Sequence, residues 1–222
     1  MNQTPAHDHA NPELLALIPD NARRVVDVGC MHGQLARALH ARQPGVHVAG
    51  VDIDPEYAQV AAAHCDLALS GDIEQFDDAR FGDLLPSDCW VFGDCLEHLR
   101  DPWALLRRIR AHMADDGCVV ACVPNAQHWS VQWRLASGNF RYEDSGLMDR
   151  THIRWFTRVT MLEMFAQTGW RVAQGLTRQL RVPEQDRYLA AVRAFAEASG
   201  LDADLAEQDA TPFQYVFRVV AQ

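Results

Sequence analysis

The chain contains no lysine: all 20 of its basic residues are arginine, set against 30 acids, for a formal net charge of −10. Codon bias in a GC-rich genome is the simple cause. The consequence is chemical. No Schiff-base enzyme, no P-loop kinase and no Tyr-x-x-x-Lys dehydrogenase can be built without a lysine amine. The acidic balance also disfavours nonspecific binding to nucleic acid or to an anionic membrane. No apolar run approaches the ~20 residues that span a bilayer. The stretch Met1 to Ala10 is polar and has no apolar segment, so it does not read as a secretory signal. A cytoplasmic protein with its six cysteines reduced is expected. There is no C-x-x-C, and His7 and His9 fall in a polar tail, so no metal centre is expected. Cys30, Cys118 and Cys122 lie in or beside strand-like runs, where cysteine acts as a small hydrophobe.

What is present is an α/β rhythm. Val25-Val26 leads into Asp27-Val28-Gly29-Cys30-Met31-His32-Gly33, and an amphipathic run follows from Leu35. This reads as strand, glycine turn and helix. Such a turn lets the backbone approach a ligand beside the positive end of a helix. A second strand, about Val46 to Val51, ends at Asp52, an acid placed to accept from both ribose hydroxyls. Asp54 suits the N-cap of the helix that opens at Pro55, which leaves Asp52 for the ligand. Further strands are expected at Asp66–Ser70, Asp88–Gly93, Cys118–Val123, Trp170–Leu176 and Phe213–Val220. Helices are expected at Asn11–Ile18, behind Asp101-Pro102, at Phe156–Gly169 and at Pro183–Ser199. The whole reads as one α/β unit, doubly wound around a mainly parallel sheet.

Residues 126–150 break the rhythm and read as a lid above the sheet. From His128 to Arg158 there are five arginines against three acids, whereas the rest of the chain is strongly acidic. A basic lid on an acidic body suits an anionic acceptor, and local ion pairing is the competing account. Trp129 and Tyr142 could stack on an acceptor ring or form the buried side of the lid.

These residues resemble the class I S-adenosylmethionine-dependent methyltransferases. The likeness rests on the glycine loop, Gly50-Val51-Asp52, Gly71-Asp72-Ile73-Glu74, Phe92-Gly93-Asp94-Cys95-Leu96-Glu97-His98-Leu99 and Val123-Pro124-Asn125. Gly146-Leu147-Met148-Asp149-Arg150-Thr151-His152 and Phe156-Thr157 are similar to a subgroup associated with glycan and surface-polysaccharide biosynthesis. The resemblance implies a seven-stranded Rossmann-like sheet whose last strand is antiparallel. It implies a longer helical insertion at residues 180–211, before that strand. It implies S-adenosylmethionine as cofactor, held by Asp27, Gly29, Cys30, Met31, Gly33, Asp52, Ile53, Asp72, Ile73, Asp94 and Cys95. Asp72 would meet the adenine amine and Ile73 the ring.

The expected activity is methyl transfer to oxygen or nitrogen of a small, anionic or glycan-linked acceptor, by a monomer or homodimer. His98 is the candidate general base, because imidazole titrates near working pH. Glu97 is read as a brace. His128, Trp129, Tyr142, Arg150, His152 and Arg154 are candidate acceptor contacts. The chain departs from the family at Met31, where a glycine is usual; a side chain there crowds the cofactor, and a positive φ would strain it. Two other classes compete. A noncatalytic adenosylmethionine- or adenosylhomocysteine-binding module would bind but never turn over. A nicotinamide-dependent oxidoreductase is opposed by the lack of lysine and of G-x-G-x-x-G.

Overall fold

The computed structural model describes residues 9–222. His7 and most of the polar amino-terminal stretch lie outside them. In chain order the elements are α1 (Pro12–Leu17), β1 (Arg24–Val28), α2 (Gln34–Arg42), β2 (His47–Asp52), α3 (Pro55–Ala61), β3 (Leu67–Ser70), α4 (Asp78–Gly82) and β4 (Cys89–Gly93). There follow α5 (Pro102–His112), β5 (Cys118–Pro124), α6 (Trp129–Ala136), α7 (Arg158–Gln167), β6 (Trp170–Arg178), α8 (Gln185–Ala198), α9 (Ala203–Ala210) and β7 (Gln214–Ala221). Short 3-10 turns cover Ile73–Gln75 and Leu96–His98.

The seven strands form one sheet in the order β3-β2-β1-β4-β5-β7-β6. β1 to β5 are parallel, and β7 runs antiparallel between β5 and β6. That is the architecture the resemblance implied. Both faces of the sheet are covered along β1, β2, β4 and β5, which is why those strands read as near-continuous apolar runs. Alternate residues part to the two sides. Val26, Trp90, Phe92 and Val119 face one core with Leu106, Met161 and Phe165. Val25, Cys89, Val91 and Val120 face the other with Leu14, Leu39 and Val48. Strand order reverses between β1 and β4, and this opens a crevice at their carboxyl ends.

The expected proline-started helices form. Asp54 caps α3 by accepting from the Glu56 and Tyr57 N–H groups, and Asp101 caps α5 by accepting from Ala104 N–H. α3 stops at Ala61, because Ala63 and His64 bond three residues back instead of four. The lid contains a helix, α6. The insertion before β7 holds two helices, and α9 escaped periodicity analysis because its run, ADLAEQDA, carries a single large apolar side chain.

Candidate functional site

The glycine turn is pinned to β2. Gly29 and Cys30 donate to the Val51 carbonyl at 2.8 and 3.2 Å. Gly29 and Gly33 have φ of +77° and +76°. A Cβ on Gly33 would lie 3.1 Å from the His64 Cβ and 3.3 Å from the Ala61 backbone, so a side chain is excluded on two grounds. Met31 sits between them at φ +48°. The expected backbone strain is therefore present. Met31→Gly is expected to raise stability by about 1 kcal/mol, a few degrees in Tm, without weakening cofactor binding. A thermal melt paired with calorimetry checks it, and a clear loss of affinity would reject the crowding idea.

Asp52 is buried at the tip of β2. It is not left free, contrary to expectation. Its Oδ2 accepts from Met31 N–H at 2.8 Å and its Oδ1 from Asp54 N–H at 2.9 Å. Each carboxylate oxygen keeps a further lone pair, so Asp52 holds the loop and still presents acceptors. Ile53 beside it is 53% exposed, whereas Ile73 is 4% exposed and packed in the core. This corrects the expectation for the adenine ring: Ile53 is the aliphatic side chain left at the crevice. Asp72 accepts from Glu74 N–H at 3.0 Å and from the Arg100 guanidinium. The Cys30 side chain packs against Gly50 beside Cys65, so a ligand could meet it only through its backbone. Cys95 is buried beside Gly29 and joins the β4 tip to the glycine turn.

Two acids in this crevice, buried Asp27 and half-buried Asp94, resist ionisation. Asp27 is pushed up to about 7, first by desolvation and then by the charge of Asp52. Asp94 is pushed up to about 6 by burial, with φ +53° and its carboxylate accepting from Gln214. Both bind protons more readily in the fold than in the unfolded chain. The stability they contribute is complete below their ordinary value of 3.8 and is lost as pH rises through the folded values. The cofactor-free protein is expected to lose stability between about pH 4 and 7, and Asp27→Asn should remove most of its share, on the order of 4 kcal/mol at most. Urea unfolding across that range tests this. An unchanged slope in the variant would sink the assignment to Asp27.

The turn after β4 carries Glu97 and His98, and the loop before α7 carries His152. Main-chain bonds bring them together: Ile153 and Arg154 N–H both donate to the Glu97 carbonyl at 3.0 Å. His98 Nδ1 meets the Thr151 carbonyl at 3.1 Å, and His152 Nδ1 meets the Leu147 carbonyl at 3.3 Å. The imidazole rings stand 4.8 Å apart, edge to face. Glu97 is 1% exposed, and neither of its carboxylate oxygens has a hydrogen-bond partner. Burial pushes that carboxyl well up and the His98 imidazole down. Burial lowers His152 to about 4. The brace expected of Glu97 is made by its carbonyl; its side chain does something else. His98 is half-buried, between the Thr151 carbonyl and the His152 ring.

The acceptor candidates divide. His128 is a buried N-cap of α6, with Nδ1 2.8 Å from Ser130 Oγ, and burial lowers it to about 4. Trp129 is buried and stacks on Tyr188 of α8 with centroids 4.9 Å apart. It forms the buried side of the lid, and Tyr188 is a partner that the sequence did not announce. Tyr142 is exposed. Three of the five arginines pair with carboxylates: Arg134 with Glu143 at 2.5 Å, Arg150 with Asp144 at 2.5 Å, and Arg158 with the distant Asp209 at 2.6 Å. Asp209 also accepts from Tyr215, and its carbonyl accepts from the buried Asn125 amide, a network missed from sequence. Arg154 is held by the Arg100 carbonyl, and no carboxylate pairs with it or with Arg141 among the described residues. Arg154, Glu97, His152, Asn125 and Trp155 line a narrow cleft.

Residues 7–174 match the family model described as a methyltransferase domain. Ubiquinone biosynthesis O-methyltransferase of Xylella fastidiosa (strain 9a5c) is 35% identical over 103 residues, which is 45% of this chain and 41% of that protein. Trans-aconitate 2-methyltransferase of Mycobacterium tuberculosis (strain ATCC 25177 / H37Ra) is 36% identical over 75 residues, 32% of this chain and 29% of that protein. This chain thus spans well under half the length of those curated relatives. Among solved structures, an S-adenosylmethionine-dependent methyltransferase from Mesorhizobium loti superposes with a TM-score of 0.60 at 18% identity, covering 94% of this chain and 96% of that one. The O-methyltransferase of a trans-AT polyketide synthase multienzyme of Brevibacillus brevis, in complex with S-adenosyl-L-homocysteine, does so at 0.59 and 14%, covering 95% and 71%. These two likenesses concern the fold. With its model covering well over half the sequence, and with a sheet and glycine turn of the expected form, the chain belongs to the methyltransferase-domain family, with a class I fold.

Proposed function

We propose that this protein transfers a methyl group from S-adenosylmethionine to an oxygen of a small acceptor. One observation carries the reading: a left-handed glycine turn locked to a buried Asp52 shares the carboxyl edge of the sheet with the Glu97–His98–His152 group. The residues fit the cofactor, since the glycine turn is closed to side chains, Asp52 keeps free lone pairs and Ile53 offers an exposed apolar face. When bound, S-adenosylmethionine supplies a methyl group on a sulfonium, a leaving group that needs no further activation. The chain must then align the acceptor and dispose of its proton. Alignment can contribute up to roughly 7–11 kcal/mol. His98, its Nδ1 turned to a carbonyl and its Nε2 available, is the group that takes the proton.

Oxygen is preferred over nitrogen because the relatives named above include O-methyltransferases. An anionic acceptor, a carboxylate or an acidic sugar among them, is supported by Arg154 at the cleft. Arg154→Ala is expected to raise the KM for a carboxylate acceptor about tenfold while leaving cofactor affinity unchanged. An equal change for a neutral acceptor would remove the electrostatic role. The α8–α9 segment, stacked on α6, would serve as the second wall of the acceptor site. No helix among the described residues is long and apolar enough to cross a membrane. The free cysteines suit a reducing compartment, and we assign the protein to the cytoplasm. The direct test is release of S-adenosylhomocysteine during incubation with a panel of phenols, carboxylic acids and uronic acids. Tight cofactor binding with no turnover on any acceptor would favour the noncatalytic module.

A further inference from the structure

We propose that Glu97, His98 and His152 form a binding site for a divalent d-block cation such as Zn²⁺, Mn²⁺ or Co²⁺. One ligand atom from each lies within 4.8 Å of the others. The sequence gives no hint of the trio, since Glu97-His98 and His152 are far apart along the chain and lack a known spacing. Each histidine spends its Nδ1 on a main-chain carbonyl. That contact places the ring proton on Nδ1 and leaves the Nε2 lone pair for a ligand, which is the arrangement metal-bound histidines use.

Glu97 supplies the second argument. A carboxyl group almost wholly withdrawn from solvent, with both oxygens unpartnered, is costly in a folded protein. An uncharged Glu97 hydrogen-bonded to His152 would relieve it, but Glu97 Oε1 stands 3.9 Å from His152 Nε2, too far for such a bond. A cation between them satisfies the carboxylate and the imidazole together. The adjoining cavity of about 10 Å³, lined by Glu97 and His152, has room for a single water-sized occupant. Ligand distances of about 2.1 Å would draw the three atoms to about 3.3 Å from one another. Half-buried His98, whose ring stands 4.8 Å from that of His152, would have to move toward the other two to complete the set. Two imidazoles and one carboxylate leave coordination positions open.

The inference rests on the reading of this edge as the acceptor site and refines the fate of the proton. In the ion-loaded protein His98 is a ligand. An acceptor hydroxyl bound at an open position forms an oxygen–metal bond, its O–H bond breaks, and the proton passes to solvent. The oxygen lone pair then remains for methyl transfer.

The test uses the full chain, stripped by chelator and dialysed. Co²⁺ is followed by its visible absorption, and Zn²⁺ and Mn²⁺ by calorimetry. One equivalent should bind to the parent protein. Affinity should fall at least tenfold in His152→Ala and in Glu97→Gln. It should persist in His112→Gln, on an exposed helix end, and in a His7→Ala/His9→Ala double variant. Near-ultraviolet circular dichroism and adenosylmethionine binding report whether each variant has folded. If the stripped parent binds adenosylmethionine but none of the three cations, or if binding survives the loss of both Glu97 and His152, the metal site is wrong and the methyltransferase reading stands. If the stripped parent binds the cation but not adenosylmethionine, it is the methyltransferase reading that fails.

Discussion

Asp52→Ala is expected to weaken S-adenosylmethionine binding at least tenfold, and on the order of a hundredfold where both ribose hydroxyls are engaged. Each hydrogen bond to a buried charge is worth roughly 1.5–3 kcal/mol. The alanine variant also strands the Met31 and Asp54 N–H donors, so part of the loss will come from a loosened glycine turn. Asp52→Asn separates the two effects. It keeps one acceptor oxygen, removes the charge and costs less stability. Calorimetry gives the affinities and thermal melts give the stability. Unchanged affinity in both variants, with the fold intact, would overturn the assignment of the crevice to this cofactor.

The sheet was legible because burial on both faces leaves a strong mark. Val25-Val26, Val48 to Val51 and Cys118 to Val123 are apolar throughout, and each leads into turn chemistry. Asp54-Pro55 and Asp101-Pro102 announce their helices for the same local reason. The glycine turn was legible where backbone geometry dictates residue type, at Gly29 and Gly33. The placement of side chains was not legible where distant segments decide it. Ile73 resembles an exposed adenine contact in sequence, yet the turn rolls it into the core with Phe76 and Phe81. His128 looked like an acceptor ligand, but Ser130 two residues on makes it a cap. The lid's positive charge is genuine as a count and mostly cancelled as a field, because Glu143, Asp144 and Asp209 reach its arginines across loops. No periodicity reports such pairings.

The second large effect is expected at His98. His98→Ala should lower kcat by roughly 10²–10⁴ while cofactor affinity stays within about twofold. The same fall follows from loss of a base or loss of a cation ligand, and the chelation experiment decides between them. A variant that keeps full kcat on a natural acceptor would place the proton's exit elsewhere. Rapid-mixing kinetics would show whether the chemical step itself has slowed.

The two hydrogen bonds from Ile153 and Arg154 to the Glu97 carbonyl have a mechanical consequence. They weld the root of the lid to the rigid β4 edge. The tip is bounded by Gly138 and Gly146, both at positive φ, where a Cβ would meet nothing within 4 Å. Any opening would then be expected to fall between these two glycines, while the histidine at the root keeps its position. Acceptors can come and go past the tip without disturbing the groups that must stay aligned. Amide exchange should be fast at exposed Arg141 and Tyr142 and slow at Ile153 and Arg154, and stiffening either pivot with alanine should slow product release before it alters chemistry.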